Sequence, residues 1–260
     1  MMKNKKQNGY VIYKGPSMLN GDPIVAIAIT KKSTNRKTGD MVQVYILSDN
    51  GEKPTTNQQT GADESICGDC KHRPVNNGAC YVVTAQGPTM VYKSYLKGNY
   101  DVVTDSRHGL GLYEASQLCQ GRMVRLGAYG DPAAVPGSIW EVLLMGAKGV
   151  TGYTHQWKNP ALSNHQKYVL KRFCMASTDN QSEYSQAKAA GWRSFRVRLE
   201  SDELNQNEIK CPASSEAGKK LNCLTCGACN GLFTKRRGDI AIITHGFKAR
   251  RYHEQRVQHA

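Results

Sequence analysis

The sequence predicts an α/β protein: a partial or complete (β/α) barrel with an N-terminal β-hairpin region and cysteine-rich metal-binding loops. Two observations carry this expectation. From residue 122 onward, short apolar segments alternate with helical ones, which is the pattern of parallel βαβ units. Of nine cysteines, three fall within residues 67–80 and four within residues 211–229, so the thiols are gathered into two short stretches. An open doubly wound sheet is the second architecture that the alternation allows.

The chain divides into a β-rich region at 1–121, holding the first cysteine group, and a βα-repeat region at 122–260, holding the second. In the first, "PIVAIAIT" and "MVQVYILSD" are apolar, β-branched runs separated by the polar, turn-prone "KKSTNRKTGD", which predicts a hairpin. Residues 51–64 are polar and read as a loop. In the second, "MVRLGAYGD" reads as a strand ending in a Gly-rich turn. "PGSIWEVLLMGAKG" reads as a helix that puts Val135, Ile139, Val142, Leu143 and Ala147 on one face, with Pro136 in its first turn and Gly149 as its stop. The strands "VTGYTHQW" and "RFCMAST" follow. Next is a helix, "NQSEYSQAKAAG", in which Asn180 and Glu183 have capping-box spacing and Gly191 is the stop. "SFRVRL", "EIKCPAS" and "DIAIITHG" complete about six strands.

No apolar run approaches the roughly 20 residues of a membrane span, and "MMKNKKQNGY" is followed by no apolar signal core. The expected setting is therefore the cytoplasm. Thiols stay reduced there, so clustered cysteines point to metal or catalysis before disulfides. The second group, Cys211, Cys223, Cys226 and Cys229, can close a tetrahedral zinc site or hold an iron–sulfur cluster, and the spacing does not separate the two. The first group, Cys67, Cys70 and Cys80, encloses His72; it reads as a Cys3His zinc site or as a cluster with one open iron. Cys119 is a candidate distant ligand, and Cys174 reads as a core residue.

In parallel α/β folds the chemistry gathers at the C-terminal ends of the strands. Those ends carry Asp131, His155, Arg196 and His245, the expected catalytic set, together with Cys211. Arg196 and Arg198 flank Val197 and so share a face, which suits an anion clamp. Asp131 has a second reading as a cap, a role that Asn would retain. With 35 Lys and Arg against 21 Asp and Glu, the net charge of +14 suggests nucleic acid or a phosphate-bearing ligand as partner. Phosphate-loop, dinucleotide-binding, H-E-x-x-H and G-x-S-x-G motifs are all missing, which argues against those enzyme classes.

"VRLGAYGDPAAVP", "GYTHQW", "AGWRSFRVR" and the C-terminal cysteine quartet resemble an uncharacterised family of phage and plasmid proteins, a domain of unknown function. The resemblance covers most of the chain and implies a mobile-element origin without an activity. A more distant resemblance is to radical S-adenosylmethionine enzymes, which use partial (β/α) barrels. "GAYGDP" is similar to the glycine-rich turn that meets the methionine moiety there, which implies a cofactor-binding role for Gly127, Tyr129 and Gly130. The first cysteine group departs from that family's C-x3-C-x2-C spacing and precedes the βα series, so S-adenosylmethionine is the secondary cofactor reading.

Two functions are therefore expected. One is a metalloenzyme acting on a nucleic-acid-related or phosphate-bearing substrate. The other is a non-catalytic, zinc-stabilised nucleic-acid binder, with Tyr129, Tyr153 and Trp157 stacking on bases.

Overall fold

The computed structural model describes residues 7–103, 111–218, 221–235, 238–246 and 248–258. The chain opens with β1 (Gly9–Pro16), β2 (Pro23–Ile29) and β3 (Val42–Ser48), an antiparallel meander containing the expected hairpin. Ile24 to Ala28 are buried throughout, because β2 is central and covered on both faces. The segment read as a loop at 51–64 instead contains α1 (Pro54–Thr60), with Pro54 in its first turn and Gly61 as a left-handed cap. A single turn, α2 (Glu64–Cys67), delivers the first cysteine. There follow α3 (Gly87–Leu96), the short β4 (Asp101–Val102) beside β1, and α4 (Leu112–Leu118).

The repeating unit begins at β5 (Met123–Tyr129), which pairs parallel to β3. α5 (Gly137–Leu143) is the expected helix, with two corrections. Its buried face runs through Gly137, Trp140 and Leu143, leaving Ile139 and Val142 half-buried. Gly149 does not stop it but opens β6 (Gly149–Thr151). β6 and β7 (Tyr153–Thr154) are one extended run broken at Gly152. α6 (Asn164–Phe173), capped by Ser163, was not anticipated. It is followed by β8 (Met175–Thr178), α7 (Gln181–Ala189), β9 (Ser194–Arg198) and β10 (Glu208–Lys210). Last come the turn α8 (Cys223–Cys226), β11 (Asp239–Ile243) and α9 (Ala249–Gln258). Asn180 caps α7 as expected, accepting from Glu183 N, while Glu183 reaches back to Asp179 N.

The strands form two sheets, ordered β4-β1-β2-β3-β5-β6 and β10-β11-β9-β8-β7. From β3 onward every pairing is parallel, so the α/β class holds. The first sheet runs across the 121/122 division. Closure into a barrel is not seen among the described residues: hydrogen bonding ends at β4 on one side and β10 on the other, and it is interrupted at Gly152. The interruption has a local cause. Gly152 N donates to Cys229 O (3.0 Å) rather than to a strand. A Cβ on Gly152 would stand 2.7 Å from Cys174 Sγ, so glycine is required where the C-terminal cysteine loop packs between the sheets.

Candidate functional site

Along β5 the side chains alternate. Val124 and Leu126 are buried, whereas Arg125, Gly127 and Tyr129 turn to the other face, where they line a cavity of about 490 Å³. The parallel strands β3, β7, β8, β9 and β11 contribute Tyr45, Tyr153, Ser177, Phe195 and Ile242 to the same wall. Tyr153 and Phe195 meet with ring centroids 4.5 Å apart. Both cysteine groups reach this cavity: Cys67, Cys70 and Cys80 from the first, Cys211 and Cys223 from the second.

The first group sits on a loop that is tied down from within. Arg73, 7% exposed, donates to Asp63 Oδ1 (3.0 Å), Gly68 O (3.0 Å) and Gly61 O (2.5 Å). Cys80 N donates to His72 O (2.8 Å), closing the loop. Gln156, just beyond β7, donates to Cys67 O (3.0 Å) and Asp69 Oδ1 (2.8 Å), and Asp131 N donates to Ile66 O (2.7 Å), so the loop is fastened to the strand ends. Burial pushes the Cys70 thiol up to about 11. Burial likewise raises Cys67 and Cys80, and the neighbouring thiols of the group add to it.

The second group is carried by β10, α8 and the turn after it. Cys211 N donates to Ala241 O (2.8 Å). A capping box of Asn222 and Thr225 forms α8, whose Cys223 N donates to Lys37 O (2.9 Å), docking the loop on the β2–β3 connection. Burial raises Cys211 and Cys223, and takes Cys229 up to about 12. Raised thiols are the protonated partners of a site whose thiolate form needs a cation. Cys119 and Cys174 belong to the main hydrophobic core. Cys174 thus meets expectation, and Cys119 is likewise packed among core side chains.

Three carboxylate and imidazole ligand atoms, from His72, His155 and Asp179, lie within 4.8 Å of one another. Among the described residues they are the one such set, so neither cysteine group draws three sulfurs that close together. His72, expected beside the first thiols, directs Nε2 to Asp179 Oδ2 at 2.8 Å, and Lys71 Nζ stands 3.0 Å from the same oxygen. Burial would raise the Asp179 carboxyl, but His72, Lys71 and His155 outweigh it and hold it below the ordinary range. His72 stacks on Tyr252, its edge meets His155, and its Nδ1 is buried without a partner.

The expected catalytic residues separate. Asp131, His155 and His245 line the cavity with Cys211. Arg196 does not. In β9 the cavity face carries Phe195 and Val197; Arg196 and Arg198 do share a face, but it is the opposite one, where they are bound by Glu208 and Glu216. The anion-clamp reading of these arginines is therefore corrected, because buried guanidinium groups are held by buried carboxylates. Both oxygens of Asp131 are occupied: Oδ1 accepts from Ala133 N (2.9 Å) and Oδ2 from His155 N (2.8 Å). That is capping geometry, and burial raises the carboxyl. His245 Nδ1 donates to Ile243 O (2.9 Å), leaving Nε2 to accept from Lys37 Nζ (3.1 Å).

Gly127, Tyr129 and Gly130 all line the cavity. Gly127 and Gly130 have φ of +62° and +78°, and an added Cβ would meet Gly130 O at 2.5 Å or Ile46 at 2.8 Å, so the backbone alone demands both glycines. Trp157, expected as a stacking surface, is 6% exposed and donates to Ser177 O, which makes it a core residue. Arg125, Lys37 and Tyr252 were missed. The parity of β5 gives a signal for Arg125, since it shares the face of Gly127 and Tyr129. The basic segment "KNKK" lies outside the described residues, and among those described no helix is long and apolar enough to cross a membrane. Comparison with protein-family models, with curated proteins and with solved structures returned no match.

Proposed function

We propose that the protein is an iron–sulfur enzyme whose two cysteine-held centres face one substrate cavity at the C-terminal edge of a partial barrel of parallel strands. The observation that carries the reading is the convergence of Cys67, Cys70, Cys80, Cys211 and Cys223 on a single cavity of about 490 Å³. Small-molecule sites have this size, a mostly apolar wall and a few converging polar groups.

Thiolate groups of this size suit zinc or a cluster; the cluster reading is adopted because both groups open onto a substrate-sized cavity. Cys211, Cys223, Cys226 and Cys229 would hold a fully ligated cluster, and Cys67, Cys70 and Cys80 a cluster with one open iron. Such groups supply one-electron chemistry. Gly127 and Gly130, which line the same cavity, would receive the methionine end of S-adenosylmethionine, the candidate occupant.

The chain's own residues supply positioning and proton handling. His72, oriented by Asp179, keeps an unpartnered Nδ1 within the site, the arrangement of a proton acceptor. Asp131 sets the turn after β5 rather than moving protons.

Protein purified without oxygen is expected to be brown and to contain iron and labile sulfide. Cys70→Ser and Cys226→Ser should each remove about half of the iron. S-adenosylmethionine binding, measured by equilibrium dialysis, should be lost in Cys70→Ser alone. A colourless, folded wild-type protein carrying zinc and no iron would overturn the proposal.

A further inference from the structure

Seven arginines are buried or half-buried among the described residues, and one of them differs from the rest. Arg73, Arg122, Arg193, Arg196, Arg198 and Arg256 each donate to at least two carbonyl or side-chain oxygens. Arg125, half-buried on the cavity face of β5, has none: its Nε is sealed from solvent without a partner, and among the described residues no carboxylate pairs with it. An unpaired guanidinium nitrogen out of water is costly unless something completes its hydrogen bonds. Beside it, Lys37 also lacks a carboxylate; its Nζ meets the ring nitrogen of His245 at 3.1 Å and lies over the Tyr81 ring at 5.8 Å. Both cations act on Cys223, so they stand together at the second cysteine group. A second unpartnered atom, the hydroxyl of Tyr129, is buried on the same strand face, next to Cys67 and Cys80.

We infer that the Arg125–Lys37 corner of the cavity binds the carboxylate or phosphate group of a small organic anion, whose body extends along the aromatic wall toward Tyr129 and the first cysteine group. Arg125 pairs with Gln43 and Tyr129 with Tyr45, two positions apart on β3 because β5 bulges between them, so about 7 Å of strand separates the two, which is the reach of an aromatic acid or of a nucleotide's phosphate and sugar. Arg suits the role because its planar fork matches both anions bidentately. The inference deepens the proposed function by naming the substrate's charge, and it rests on that reading only for what the anion is presented to.

The test uses the full chain purified anaerobically, with isothermal titration of inorganic phosphate, adenosine 5′-monophosphate, adenosine, benzoate and benzamide. The anions are expected to bind wild type more tightly than their neutral counterparts. Phosphate and nucleotide winning over benzoate would identify the group as phosphate, and the reverse as carboxylate. Arg125→Gln should weaken the preferred anion about tenfold or more and leave the neutral analogue unchanged, with Arg125→Lys intermediate. Lys37→Gln gives the same readout if Arg125→Gln does not fold. Equal anion binding in wild type and both variants, or no anion binding to metal-loaded protein, would overturn the inference. So would loss of iron from Arg125→Gln, because Arg125 would then serve the metal centre. Anion binding to a protein without iron would sustain the anion site while defeating the iron–sulfur reading.

Discussion

Arg196 is the residue on which strand-end logic and packing disagree, and its substitution separates them. Arg196 is 2% exposed and Glu208 6% exposed. Nε donates to Oε1 at 2.8 Å and Nη2 to Oε2 at 2.6 Å, a bidentate pair. Asn205 contributes two more bonds to Oε2, from N at 2.8 Å and Nδ2 at 2.9 Å. Arg196→Met leaves Glu208 buried with only Asn205, and breaking one side of such a pair costs about 3–5 kcal/mol. At about 2–4 °C per kcal/mol for a chain of this size, Tm should fall by about 6–20 °C. Arg196→Met/Glu208→Leu should recover most of the loss, since an apolar pair carries no orphan charge. The pH dependence gives an independent check. Burial alone would raise the Glu208 carboxyl, but Arg196 and Asn205 outweigh it and hold it below its ordinary value. Its folded pKa is therefore below its unfolded one, so its stabilisation is complete above about pH 4.5 and is lost as pH falls through the lower folded value. In Arg196→Met the sign reverses, and the gap to wild type should narrow on acidification as the orphan carboxyl takes up a proton. Thermal unfolding of wild type, Arg196→Met, Glu208→Leu and the double variant, at neutral pH and at about pH 4, measures all of this. Unchanged Tm in Arg196→Met together with lost anion binding in the cavity would refute the packing argument and return Arg196 to the site.

Two further outcomes follow from the same contacts. Asp131→Asn keeps one acceptor oxygen where two are in use, so the amide N–H of Ala133 or of His155 loses its partner. Destabilisation of about 1–3 kcal/mol is expected in chemical denaturation, more than the sequence-based view of Asn as an adequate cap allows, and wild-type stability would show that the two bonds are dispensable. Cys119→Ala should leave iron and sulfide content unchanged, because Cys119 is buried in the main core; loss of one metal equivalent would make it a ligand.

The strands and the cysteine groups were legible because their signals are local. β2, β3, β5, β8 and β11 are largely apolar runs, β9 alternates apolar and charged residues, and α7 announces itself by Asn180 and Glu183. α6 carried an equally local sign, Ser163 three residues before Gln166 with Val169, Leu170 and Phe173 buried behind it, and it was overlooked. α1 offered none: its buried residues are Pro54, Asn57 and Gln58, so no apolar stripe marks it. What no local pattern could supply is the pairing of β3 with β5, in which Val42 meets Val124, eighty-two positions further along the sequence. That single pairing changes the reading of the site. As half of a hairpin, β3 leaves the first cysteine group ahead of the βα series; as the first parallel strand, it places Cys67, Cys70 and Cys80 on the connection to the second. The faces of the strands were also beyond local reading. In β9 the expected order is inverted, with Phe195 and Val197 turned to the cavity and the arginines turned to acids supplied by residues 202–216. Because those acids come from a later segment, nothing within "SFRVRL" says which side holds them. The same reasoning singles out Arg125. Arg73, Arg196 and Arg198 find acids, and Arg193 finds carbonyl and Asn230 oxygens, within the described chain, whereas Arg125 makes no hydrogen bond there. The proposed anion would supply the partner that its nitrogens lack.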